Sequence, residues 1–137
     1  MKYFYKIENG QLKRGSGKVI PTGFTEYIKG QEPDELLNYL NEENLIKIKK
    51  QIELRATNFV KKQLSELDYD NEGEVALYAT NSDSSWHDEA VALQKWIEEV
   101  YVKMYELEES VTIDNYKDID LDKIEAEYPA FEFEGAE

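Results

Sequence analysis

Residues 86–107 read WHDEAVALQKWIEEVYVKMYEL. Apolar residues fall at Trp86, Ala90, Leu93, Ile97, Val100, Met104 and Leu107. Their spacings alternate four and three, the period at which one helix face lies along a partner helix. Trp96 and Tyr101 widen that face, while Asp88, Gln94, Lys95, Glu98, Glu99 and Glu106 occupy the other side. The chain offers a partner upstream. No Gly or Pro interrupts Glu42 to Leu67, and Leu45, Ile48, Ile52, Ala56, Phe59, Leu64 and Leu67 lie on or near one helical face. The connector, residues 68–85, carries its own short apolar element at Glu74 to Ala79, so the two long helices are expected to run antiparallel. Ser85 is the expected N-cap of the second helix, with Asp88 three residues on in a capping-box arrangement.

Ahead of these helices, Tyr3 to Arg14 reads as a β-hairpin. YFYKI is aromatic and β-branched, and Asn9-Gly10 suits the positive φ angles of a type I′ turn. Gly15-Ser16-Gly17 is expected to break the return strand, with further short strands at Lys18-Val19-Ile20 and Phe24 to Ile28. So small a sheet needs cover from a helix. Pro33 suits a first helical turn, and DELLNYL predicts a short helix with Leu36, Leu37 and Leu40 inward, ended at Asn41 or followed there by a new cap. Beyond Glu109 the pattern loosens. Leu121 to Glu127 predicts one or two helical turns, Pro129 stops them, and Phe131 and Phe133 alternate with acids in an extended or mobile end segment. The expected fold is α+β, with a small β region at 1–32, a helical body at 33–109 and an acidic segment at 110–137.

Composition narrows the function classes. The 137 residues suffice for one domain, which at this size buries roughly two thirds of its unfolded surface. There is no cysteine, so disulfides, thiolate metal sites and a cysteine nucleophile are excluded. Met1 is followed by KYFYKIENG, without an apolar signal core, and the longest apolar run, Val75 to Ala79, is far short of the about 20 residues of a membrane span. A soluble, cytoplasmic protein is expected. The net charge of −14 is uneven: residues 1–20 are locally +4 and residues 106–137 locally −10. Phosphate binding needs a basic surface, so nucleic acid is not an expected ligand, and a basic partner suits this charge better.

No constellation of catalytic residues stands out. The single histidine, His87, neighbours Ser84, Ser85 and Asp88, but a triad must converge in space and residues at a helix start diverge around the axis. Asp68, Asp70, Glu72 and Gly73 resemble the front of a calcium loop, yet Ala79 stands where the bidentate Glu should be. One His and no Cys leave little for zinc, and Gly15-Ser16-Gly17-Lys18 lacks the P-loop spacing. Neither enzyme activity nor a metal or other cofactor is expected. The unusual feature is aromatic content: ten tyrosines, five phenylalanines and two tryptophans. Core is the expected place for Trp86 and Trp96, while Tyr101 and Tyr105 border the seam, where Tyr can bury its ring and keep a polar handle at a binding surface.

The run Tyr78-Ala79, Trp86, Glu89-Ala90, Leu93, Trp96 and Val100-Tyr101 resembles the C-terminal portion of tail-fibre assembly proteins and related tail components of tailed bacteriophages. Leu121, Ile124, Pro129, Ala130 and Phe131 match their Pro-bearing tail, and Tyr3-Phe4-Tyr5 with Ile20 to Glu26 is similar to their N-terminal β segment. The resemblance implies a non-catalytic protein that binds a fibre or other tail protein, in the host cytoplasm during assembly or retained in the virion tail. Homo-oligomerisation stays open. Trp86, Trp96, Tyr101, Tyr105, Phe131 and Phe133 are the expected partner-binding set, with the two tryptophans supporting the site. The alternative, motivated by the acidic C-terminal stretch with Asp118, Asp120 and Asp122, is an inhibitor that occupies a nucleic-acid-binding groove.

Overall fold

A computed structural model describes residues 1–133. Its first elements are strands β1 (Lys2–Glu8), β2 (Gln11–Gly17) and β3 (Thr25–Tyr27), in an antiparallel sheet of order β2-β1-β3. The hairpin turns at Asn9 (φ 52°) and Gly10 (φ 73°), both left-handed as a type I′ turn requires. The glycine-rich stretch does not break the return strand. Gly15 pairs with Phe4, and a Cβ on Gly15 would stand 3.0 Å from that ring, so the missing side chain leaves room for the phenylalanine to lie across the strand. Lys18 to Ile20, expected as a strand, is irregular.

Helix α1 (Asp34–Glu66) is continuous for 33 residues, where two helices were expected. Asn41 is a weak helix former, but with neither Gly nor Pro nearby its modest cost of about 0.7 kcal/mol does not stop propagation. Asp34 and Glu35 complement the helix dipole at its start. The chain forms two compact units that divide within this helix, at Ile46 and Lys47. In the first unit the opening turns of α1 cover the sheet. Tyr5, only 4% exposed, donates its hydroxyl to Glu35 Oε2 at 3.0 Å, and Tyr39 Oη accepts the Leu12 N–H at 3.1 Å.

The second unit holds the rest of α1 with α2 (Glu72–Thr80), α3 (His87–Ser110), a 3-10 turn at Tyr116–Asp118 and α4 (Leu121–Glu125). Ile52, Ala56, Val60 and Leu64 form the buried stripe of α1; Ala90, Leu93, Ile97, Val100 and Met104 form that of α3, as its spacing predicts. The helices are antiparallel: Glu53 meets Glu108, Thr57 meets Tyr101 and Phe59 meets Trp96, so numbers rise on one as they fall on the other. α1 ends in a Schellman motif. Asp68 takes φ 65°, its N–H reaches Ser65 O at 3.1 Å and the Tyr69 N–H reaches Leu64 O at 2.9 Å. Asn71 then caps α2, its Oδ1 accepting the Glu74 N–H at 2.9 Å.

The C-terminal segment packs back on this helix pair. Val111, Tyr116, Ile124 and Tyr128 are buried, and Arg55 pairs with Asp122 and with Glu125, the latter at 3.7 Å. Trp96, 4% exposed, lies between Phe59 (5.8 Å between centroids) and Phe131 (5.7 Å), and its Nε1–H donates to Pro129 O at 2.7 Å. Residues 129–133 are irregular but held by this contact, with Phe131 and Phe133 stacked at 6.4 Å and half-buried.

Two substitutions test these joints. Asp68→Gly should raise stability by about 0.5–1 kcal/mol in urea unfolding, because glycine adopts the left-handed cap position without a Cβ penalty. Trp96→Phe keeps most of the ring packing but orphans the Pro129 carbonyl, and should lower stability by about 1–3 kcal/mol in the same measurement.

Candidate functional site

Three aromatic rings meet where the turn after α1, the last turn of α2 and the entry to α3 come together. The Schellman turn directs Tyr69 inward, to 6% exposure, where its hydroxyl donates to Glu89 Oε1 at 3.0 Å. Burial and this carboxylate push the Tyr69 phenol up to about 12, so it remains a donor at any physiological pH. Tyr78 of α2 stands beside it, with centroids 6.1 Å apart and planes at 70°. Trp86 stands against Tyr78 at 5.2 Å and 76°. Successive rings are close to perpendicular, so they form a corner rather than a stack, each edge meeting a neighbour's face.

Trp86 is 55% exposed, which corrects its expected place in the core. α3 begins one residue later, at His87, so Trp86 lies outside the periodic part of the helix. The helix also lacks the Ser85 cap: Trp86 occupies the cap position without a side-chain bond, and Ser84 Oγ accepts the Trp86 N–H at 3.2 Å. A series of turns (Ser84 N–H to Asn81 O, His87 N–H to Ser84 O) carries the chain past Ser85 and sets where the indole lies. His87 Nδ1 sits 3.2 Å from the Tyr78 carbonyl oxygen and serves as its donor, which ties the α3 entry to α2.

The rings border a cavity of about 180 Å³ whose lining is Leu67, Asp68, Tyr69, Glu74, Tyr78, Trp86 and Glu89. It combines three aromatic side chains with three carboxylates. Among the described residues no lysine or arginine forms an ion pair with Asp68, Glu74 or Glu89. Sequence reasoning singled out Trp86 but missed Tyr69, Glu74 and Glu89 as its companions. The available signal was the large apolar residue directly after an aspartate at a helix end, which a Schellman motif turns inward.

The remaining expected residues are dispersed. Trp96 is internal and supports the C-terminal segment, along with Phe131 and Phe133. Tyr101 is half-buried and donates to Glu72 Oε1 at 2.6 Å, on the wall of a wider groove of about 630 Å³. Burial and Glu72 raise its phenol to about 12. Tyr105 is 58% exposed, so the α3 face beside the seam does reach the surface. Of the tail aspartates, Asp120 caps α4 by accepting from the Asp122 and Lys123 N–H groups, and Asp122 pairs with Arg55. Among the described residues no group of three or more His, Cys, Asp or Glu side chains is arranged to hold a metal ion, and no helix is long and apolar enough to cross a membrane.

One carboxyl outside the cavity sets a pH dependence. Burial, then a hydrogen bond and repulsion from Glu53, push Glu108 up to about 7, with Lys49 opposing. The folded state therefore binds a proton that the unfolded chain releases near pH 4.5, and stability falls as pH rises from about 5 to 7. Glu108→Gln should flatten that decline and gain on the order of 1 kcal/mol at pH 8, as read from urea midpoints across pH; the half-solvated pair delivers less than its full shift.

Comparison of the chain with protein-family models, curated protein sequences and solved structures returned no match.

Proposed function

We propose that the chain is a tail-fibre assembly chaperone or tail accessory protein of a tailed bacteriophage, acting by binding and covering apolar surface on a fibre or other tail protein. The observation that carries the protein-binding part is Trp86. A tryptophan that leaves more than half its surface in water, braced edge-on by Tyr78, has the rigidity and area of an interface anchor. The tail assignment rests on the sequence resemblance. Its motif separates into two groups here: Ala90, Leu93 and Trp96 are buried, whereas Tyr78, Trp86 and Glu89 surround the cavity. A motif of packing residues alone would support a fold; the second group supports a shared surface. The acidic residues of the C-terminal segment give less support to the inhibitor reading, since Asp120 and Asp122 are engaged within the fold.

The test is co-expression with a tail-fibre protein, taken from any fibre gene found adjacent to the one encoding this chain. The two should co-purify, and fibre trimer yield should fall without the chain. Trp86→Ala should weaken the complex by about 2 kcal/mol, while the chain's own unfolding, which loses the edge-on contact with Tyr78, should shift by only about 1 kcal/mol. A fibre that trimerises equally well alone and does not retain the chain would reject the tail assignment.

A further inference from the structure

The cavity beside Trp86 has a composition that neither packing nor the tail reading requires. Its walls are Tyr69, Tyr78 and Trp86, and its acids are Asp68, Glu74 and Glu89. Aromatic faces attract cations through the negative potential above the ring. Carboxylates near those faces add to that attraction, while a neutral apolar guest would gain nothing from them and would bury part of their hydration. Glu89 uses Oε1 to accept from Tyr69, which orients the carboxylate and leaves Oε2 for another donor. No lysine or arginine is paired to these acids among the described residues, so their charge is open to a cation from another molecule. A volume of about 180 Å³ suits one long side chain and is too small for a folded element.

We infer that this cavity receives one cationic side chain of a bound protein, arginine before lysine, clasped between the Trp86 and Tyr78 rings and the Glu89 and Glu74 carboxylates. The inference rests on the protein-binding reading above and not on the tail assignment. Arginine is favoured because its planar guanidinium is weakly hydrated, lies flat on an aromatic face and still presents N–H groups at its edge to a carboxylate; the ammonium of lysine is a strongly hydrated point charge.

The experiment titrates the full chain with three capped tripeptides, acetyl-Gly-Arg-Gly-amide, its lysine counterpart and its uncharged citrulline counterpart, observed by 1H–15N NMR. The chain has two tryptophans, so the indole N–H of Trp86 is the reporter and that of Trp96, bonded to Pro129, is the internal control. The arginine peptide should shift the Trp86 indole saturably, with a Kd on the order of a millimolar, and leave Trp96 unmoved. The citrulline peptide should produce no saturable shift, and the lysine peptide should bind more weakly than arginine. Glu89→Gln, which keeps an acceptor for Tyr69, should weaken arginine binding about tenfold, and Glu74→Gln should act in the same direction. An unchanged Trp96 indole resonance in each variant shows that the fold is retained. Equal binding of citrulline, wild-type affinity in both variants, or a Trp86 indole unmoved by tens of millimolar peptide would overturn the inference; tighter binding of lysine would overturn the choice of arginine. No fibre protein is used, so a failed co-purification and a failed titration are separate results.

Discussion

Trp96 joins three parts of the chain that are far apart in sequence. Its ring fills the space between Phe59 of α1 and Phe131 of the C-terminal segment, and its N–H satisfies the Pro129 carbonyl. A buried indole that lost this acceptor would strand a donor in an apolar site, so ring packing and hydrogen bond specify one arrangement together. The acidic end segment follows from it. Residues 110–133 carry strong negative charge, yet they fold back because Val111, Tyr116, Ile124 and Tyr128 are buried while the carboxylates stay outside or meet Arg55. Apolar burial outweighs a repulsion that water largely screens.

The same logic separates scaffold from surface within one helix. From Ala90 onward α3 obeys its period, and the seam is internal. At its start the period does not apply, and the chain uses turns and polar bonds instead: Ser84 Oγ to the Trp86 N–H, and His87 to the Tyr78 carbonyl. Those bonds place a large aromatic side chain outside the core without leaving it loose. The cavity beside it is lined by three carboxylate residues and three aromatic ones, within a chain whose net charge of −14 makes its long-range field predominantly negative.

Much of the fold was legible because it follows from local rules. Asn9-Gly10 marks a type I′ turn wherever two strands flank it, and the alternating spacing along α3 identifies its inward face. The antiparallel α+β arrangement then follows from connector length. Errors fell where local preference was weak and packing decided. Asn41 was a plausible helix end but propagation continued through it. Gly15 looked like a strand breaker but sits under the Phe4 ring. Ser85 was the better cap by residue type, yet the preceding turns hand that position to Trp86.

By itself the sequence determined the α+β class, the Asn9-Gly10 hairpin, the inward face of α3, the exclusion of thiol chemistry and the acidic field. Each depends on composition, on a turn dipeptide or on a period along one chain. The tertiary structure alone decided that Tyr69, Glu74, Tyr78, Trp86 and Glu89 border one cavity, because a helix end, a second helix and a turn bring them together from separate stretches. It also decided that Trp86, unlike Trp96, lies outside the core. The two tryptophans look alike in sequence; what separates them is that helical geometry fixes the direction of one, and the turns before the helix fix the direction of the other.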